Sequence, residues 1–281
     1  VSAIVSSAGP ERWPLPPVLR TSALLHGMAL LLWLWQPPLW PWLLAGLLLN
    51  HAVIVALGLW PRSTGLGPNV RRLPPAAVQR REIALTIDDG PDPEVTPAVL
   101  DQLQAAGAVA TFFCIGERVQ AHPALAREIV ARGHSLQNHS QRHDHRFSFS
   151  GPAAFAKELR AAQATIAQAT GVTPNCFRAP AGLRNPFLAP VLQRLGLHLV
   201  SWTRRGFDTR ERDPARVLER LCRDLAAGDI LLLHDGHVAR TPQGRPVVLE
   251  VLPELLARCR TAGLTPVTLP QALGAVPPTF R

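Results

Sequence analysis

Lysine is almost missing from this 281-residue chain: Lys157 stands alone among 29 cationic side chains, and all the others are arginine. Acids are scarcer than cations, 20 in all, which leaves a formal net charge of +9 at pH 7. A nucleic-acid surface would gather such cations into one patch interleaved with stacking aromatics. No such patch is present, so nucleic acid is excluded as a partner. The four cysteines (Cys114, Cys176, Cys222 and Cys259) are widely spaced and form no CxxC pair. That argues against a metal knuckle or a disulfide framework and for reduced core thiols. The largest absence is local. From Thr21 to Pro61 the chain holds no Asp, Glu, Lys or Arg at all, and Arg20 and Arg62 bracket the gap.

A Leu-rich run of this length without charge exceeds what a soluble core helix needs and can cross a bilayer twice. Proline divides it. Residues 18–35 and 39–60 are spans of roughly 27 and 33 Å if helical, joined by Gln36, Pro37 and Pro38. The expectation is a transmembrane helical hairpin in a lipid bilayer. Trp33, Trp35, Trp40 and Trp42 would gather at one interface and Trp60 at the other. His26 would then lie level with Asn50 and His51. An interhelical hydrogen bond there is a better reading than a proton pathway, because intramembrane polar groups are costly without partners. Arg12 and Arg20 precede the pair, and Arg62, Arg71, Arg72, Arg80 and Arg81 follow it. The positive-inside rule therefore places both ends, and the bulk of the chain, on the cytoplasmic side of an inner or cytoplasmic membrane. A signal peptide fits less well, since residues 1–20 are Pro-rich and no small-residue cleavage pattern follows.

The expected organisation is a tail (1–17), the two spans (18–61), a basic linker (62–81) and a catalytic domain (82–281). The linker is rich in Arg, Pro and Gly, has no periodicity, and reads as lying against anionic headgroups. Beyond it 22 cations meet 19 anions, so the domain carries only +3. Short apolar runs there alternate with helical patterns. Strands are expected at 83–87, 108–114, 135–137, 176–178, 198–202, 230–233 and 265–268, with helices at 97–106, 123–132, 152–170, 186–195, 214–227 and 247–262. Seven strands alternating with six helices indicate an α/β fold with a parallel sheet, open or closed into a barrel. Either form places chemistry at the C-terminal strand ends.

Several of those ends are reactive. The first strand runs into Asp88-Asp89-Gly90-Pro91, which taken alone is equally a turn. The third runs into His139-Ser140-Gln141-Arg142-His143, where two His four apart would share a face if helical and suit one divalent ion. A solvated polar loop explains that pair as well. The fourth gives Arg178-Ala179-Pro180-Ala181-Gly182 and the sixth gives Leu231-Leu232-Leu233-His234. Four such accidents on one face are far less expected than one.

Together these motifs resemble the polysaccharide deacetylase family, also described as the NodB-homology or carbohydrate esterase 4 domain. The resemblance covers about residues 82–272, in matching order, and leaves the hairpin outside. It implies a distorted (β/α)7 barrel of parallel strands. It further implies a divalent metal, usually Zn2+, on Asp89, His139 and His143, with Asp88 as general base and Arg178 orienting that carboxylate. The backbone N–H of Ala181 would face the oxyanion, Leu232 would line the acyl pocket, and His234 would protonate the leaving amine. This chain departs from the family in two places. Ala181 replaces a frequent aromatic. In Ser201-Trp202-Thr203-Arg204-Arg205-Gly206-Phe207-Asp208-Thr209, Arg205 stands where an acid usually tunes the catalytic His, and Thr209 where a groove Trp is usual. Asp208 is then the candidate for tuning His234, against a capping role, and Asp144 and His145 are spare groups beside the metal motif. The implied activity is removal of an N-acyl (N-acetyl) group from an amino sugar in a polysaccharide or lipid-linked glycan. Two alternatives are an amidohydrolase of small formyl or cyclic amides, and a silent membrane-tethered sugar-binding module.

Overall fold

The computed structural model describes residues 13–274; Arg12, most of the expected tail and residues 275–281 lie outside the described part. Two long apolar helices open it, α1 (Pro17–Trp35) and α2 (Trp40–Leu59), joined by a short 3-10 turn at Pro37–Leu39. Proline sits in the first turn of both helices, where its missing N–H costs nothing. The pair folds as a hairpin with nearly all of its surface exposed. Its polar groups do find partners, although not the pairing expected. Asn50 donates to the Ser22 hydroxyl at 2.8 Å, and His26 and His51 meet edge to face with ring centroids 5.1 Å apart. Each imidazole also holds a carbonyl of its own helix one turn back, Ser22 for His26 and Leu47 for His51.

After a short helix, α3 (Pro75–Gln79), strands and helices alternate: β1 (Glu82–Asp88), α4 (Thr96–Ala105), β2 (Thr111–Cys114), α5 (Gly116–Ala121), α6 (Pro123–Ala131), β3 (Ser135–Asn138) and α7 (Pro152–Thr170). The second half continues with β4 (Cys176–Phe177), α8 (Leu188–Arg194), β5 (His198–Leu199), β6 (Arg204–Arg205), α9 (Pro214–Cys222), β7 (Ile230–His234), α10 (Val247–Thr261), β8 (Thr265–Pro266) and α11 (Leu269–Leu273). All strand pairs are parallel, in the order β5-β4-β3-β2-β1-β7-β6, with β8 against the start of β1. The result is a curled, incompletely closed (β/α) barrel with its helices outside.

Period-two alternation sorts the side chains of this sheet. Ile83, Leu85 and Ile87 of β1 and Leu231 and Leu233 of β7 face the helical layer, where they meet Val99, Val217 and Val251. The residues between them face the concave side, in the register Ala84↔Ile230, Thr86↔Leu232 and Asp88↔His234. Three expectations need correction. The run 198–202 is not one strand, because after Leu199 the chain gives its Ser201 N–H to Val70 and crosses to the opposite sheet edge as β6. The helix expected to reach Ala227 stops at Cys222, where the Arg204 guanidinium binds the carbonyls of Arg223 and Asp224. Helix α5 was not anticipated at all.

Residues 62–81 are laid against the barrel. Val70 bridges Val200 between the two sheet edges, and the Leu73 N–H reaches the Gly228 carbonyl at 2.8 Å. Leu66, Leu73 and Ala77 are buried, the last two with Phe113, Trp202 and Leu232. Four of the five arginines engage the barrel: Arg62 reaches the Thr203 carbonyl, Arg72 pairs with Asp229, Arg80 with Glu82, and Arg81 binds the carbonyls of Ala262 and Gly263. This strap closes the gap that the sheet leaves open. Leu73→Ala is therefore expected to cost about 2–5 kcal/mol in chemical denaturation of the full chain, while Arg71→Ala, an exposed position, changes stability little.

Candidate metal and active site

Four strand ends converge over the concave face, and their residues line a cavity of about 700 Å3. β1 delivers Asp88 and then turns sharply, with Asp89 at φ 74°. The turn requires glycine next, since a Cβ on Gly90 would collide with the buried Asp235 carboxylate. Gly236 is constrained from the other side in the same way, by the Asp89 carbonyl. The loop after β3 brings His139 and His143 together without a helix: Ser140 and His143 both have positive φ, and the Ser140 hydroxyl holds the His143 N–H at 3.0 Å. The helical spacing expected for that pair is thus replaced by a turn with the same outcome.

Asp89 Oδ1 lies 3.2 Å from His139 Nε2 and 3.3 Å from His143 Nε2. A tetrahedral ion with bonds of about 2.0–2.1 Å would set its ligands at edges of about 3.3 Å, so these two edges suit a divalent cation such as Zn2+, and all three donor atoms lie within 4.8 Å of one another. His139 turns its Nδ1 to the Arg178 carbonyl at 2.8 Å, which fixes the ring with Nε2 inward. Charge agrees with geometry. Burial pushes the His139 imidazole down, but Asp88 and Asp89 outweigh it and hold it above its ordinary range. Burial likewise opposes the charged form of Asp89, yet hydrogen bonds from His139 and His237 keep that carboxyl below the usual range. A field that favours a proton here favours a cation more strongly. His143 is pushed down to about 4, by burial first and by His139 second, which favours the neutral imidazole that a metal would need.

Asp88 sits beside this set, its Oδ2 3.9 Å from His139 Nε2 and its Oδ1 2.7 Å from Arg178 Nη1. Arg178 is fully buried, with every nitrogen engaged: Nη1 also reaches the Thr86 hydroxyl at 2.7 Å, Nη2 the Ser201 carbonyl at 2.9 Å and Nε the Val200 carbonyl at 3.3 Å. The Phe113 ring lies 4.2 Å from the guanidinium carbon. On the neighbouring strand His234 is gripped by Asp208, whose Oδ1 takes the ring Nδ1 at 2.8 Å and whose Oδ2 takes the His234 backbone N–H at 2.7 Å. Burial works against the imidazolium, but the Asp208 carboxylate prevails and lifts His234 to about 9. Ala181 has φ 54° inside a 3-10 turn, Pro180–Gly182, and Leu232 is buried in the cavity floor.

All nine residues expected at the site are brought to this cavity or bonded to its lining. His145 and Thr209 also line it, whereas Asp144 turns to cap the Arg146 N–H at 2.7 Å. Sequence reasoning missed His237, whose Nδ1 lies 3.3 Å from Asp89 Oδ2 and whose Nε2 lies 3.2 Å from Arg118. A second imidazole three positions after His234 was the signal available for it.

Similarity to known proteins agrees with this geometry. The family model described as polysaccharide deacetylase matches residues 76–200. Peptidoglycan-N-acetylglucosamine deacetylase of Bacillus cereus is 34% identical over 185 residues, covering 62% of this chain and 81% of that protein. A chitooligosaccharide deacetylase of Bradyrhizobium is 35% identical over 158 residues, covering 56% of this chain and 72% of the relative. Among solved structures, a family 4 carbohydrate esterase from Streptomyces lividans in complex with acetate superposes with a TM-score of 0.61 at 31% identity, covering 70% of this chain and 98% of its own. This chain is a hydrolase of the polysaccharide deacetylase family.

Proposed function

We propose that the protein removes N-acetyl groups from an amino-sugar glycan, with a divalent ion, foremost Zn2+, held by Asp89, His139 and His143. The observation that carries this reading is the placement of a buried base, Asp88, and a carboxylate-gripped acid, His234, directly opposite each other on adjacent strands beside that donor set. When bound, the ion supplies Lewis acidity, which acidifies water and polarises an amide carbonyl. Asp88, oriented by Arg178, takes a proton from the attacking water. The backbone N–H at Ala181 meets the developing oxyanion. His234 gives its proton to the nitrogen as the carbon–nitrogen bond breaks, so the products are acetate and a free amino sugar. Leu232 bounds the space for the acetyl methyl. Relatives named for peptidoglycan and chitooligosaccharide N-acetylglucosamine support the substrate class.

The proposal extends to organisation. The spans (18–61), preceded by the tail (1–17), anchor the protein in the membrane, and the catalytic domain (82–281) is tied to them by the strap (62–81) on the cytoplasmic side. The flanking arginines support that orientation.

Two variants separate the roles. Asp88→Asn is expected to keep a full equivalent of metal by elemental analysis while acetate release from N-acetylglucosamine oligomers falls about 100- to 10,000-fold; His143→Ala loses the metal as well. Asp208→Asn removes the group that raises His234. His234 must be protonated to act, so the alkaline limb of the kcat profile is expected to move to lower pH in this variant. An unmoved limb would assign Asp208 a purely structural role.

A further inference from the structure

Four arginines line the cavity, and they are not equivalent. Arg118 faces Asp92 at 3.7 Å and Arg142 holds Glu158 at 2.7 Å. Neither Arg205 nor Arg210 has a carboxylate within ion-pair distance among the described residues. Apart from Asp88 and Asp89, the only acid in the wall among the described residues is Glu117. Arg205 lies in β6 directly beside Leu232, in the strand row that runs on to Thr86. Its guanidinium is stacked between Trp202, 5.3 Å to the ring centroid, and Phe207, 5.0 Å away. Its Nε is buried with no hydrogen-bond partner. Aromatic faces steady a guanidinium but do not satisfy its donors, and a partly buried cation lacking an acid is unfavourable unless an anion completes it. The acids nearest the reaction are already committed, Asp208 to His234 and Asp88 to Arg178.

The same wall is where the apolar hairpin ends. A Cβ on Gly182, a lining residue, would strike both Pro61 and Trp202. The Arg184 N–H donates to the Gly58 carbonyl of α2 at 3.1 Å, and the Arg62 guanidinium reaches the Thr203 carbonyl at 3.3 Å. A Cβ on Gly58 would likewise collide with the Arg184 carbonyl. Glycine at both positions lets the end of the span close directly onto the turn that carries Ala181. With Trp60 marking the interface, the cavity opens beside the bilayer surface rather than at the end of a long tether.

We infer that the substrate is an amino sugar joined through a phosphate ester to a lipid, with Arg205 and Arg210 receiving the phosphate while the N-acetyl group lies between Asp88 and His234. A phosphate ester offers several oxygens to two guanidiniums and is the link by which a sugar can be held to a bilayer, so one chemistry accounts for both the cationic wall and its closeness to the span. The inference rests on the deacetylase reading above and on the hairpin being a membrane span.

Three probes separate charge from lipid, with the full chain in phosphatidylcholine vesicles: N-acetylglucosamine carrying an anomeric decyl phosphate diester, the neutral decyl glycoside, and N-acetylglucosamine with a free anomeric phosphate. The diester is expected to give a kcat/KM about 10- to 100-fold above either of the others, a margin typical of charge-assisted hydrogen bonds, and Arg205→Gln or Arg210→Gln is expected to collapse the margin over the neutral glycoside. Equal use of the diester and the neutral glycoside, or of the diester and the free phosphate, overturns the inference while leaving the deacetylase reading standing. Calorimetric binding to Asp88→Asn protein supplies a readout independent of turnover: the diester is expected to bind about 10-fold tighter than the neutral glycoside, and Asp88→Asn with Arg205→Gln to erase the difference. Tight, Arg205-dependent binding with no acetate release by wild type would instead sink the deacetylase reading and keep the anion site.

Discussion

One buried ion pair organises this molecule. Arg178 points from the end of β4 into the buried interior of the barrel, and a guanidinium there is tolerable only because each of its nitrogens is engaged and Asp88 neutralises it. The consequences spread from that point. The two oxygens of Asp88 become distinct, one fixed on Arg178 and the other left facing the donor set. The Arg178 carbonyl orients His139, so the same residue sets both the proposed base and one proposed metal ligand. Val200 and Ser201, whose carbonyls it binds, are held in the irregular crossing that lets the barrel stay open where the strap enters.

That opening links the catalytic domain to its apolar hairpin. A fully closed sheet would have no place for Val70 and Leu73, and the apolar helices would then hang from a free linker. Instead residues 62–81 complete the wall of the barrel, and the second helix ends against the turn bearing Ala181. With the hairpin in a bilayer, as proposed, the fold itself would set the position of the active site relative to that bilayer. The arginine residues that give the chain its basic balance also divide by role: Arg72, Arg80 and Arg81 fasten the strap, Arg178 builds the site, and Arg205 and Arg210 stand in its wall without acids.

Much of this was legible in the sequence. Uncharged length between Arg20 and Arg62 announced the hairpin, and alternation of apolar runs with helical patterns announced the parallel sheet. Asp88, Asp89, His139, His143, Arg178 and His234 could be read because each follows an apolar strand, and topology then has little choice but to bring strand ends together. What stayed hidden depended on contacts distant in sequence. Nothing local marks Val70 as a sheet partner of Val200, or says that Ser201 would give up its strand to it. His237 looked like loop because its partner, Asp89, lies 148 residues away. Asp208 was ambiguous between capping and tuning until its carboxylate met His234.

The central claim is that a divalent ion on Asp89, His139 and His143 and the buried Asp88–Arg178 pair act together as one hydrolytic centre. Titrating Zn2+ into the chelated 281-residue chain and following acetate release from an N-acetylglucosamine oligomer or its lipid phosphate tests that claim most directly. The account predicts release that is negligible in the chelated protein, rises in proportion to metal, and saturates at one equivalent per chain. Release that persists undiminished after chelation, or a fully loaded chain that frees no acetate from either substrate, would contradict it.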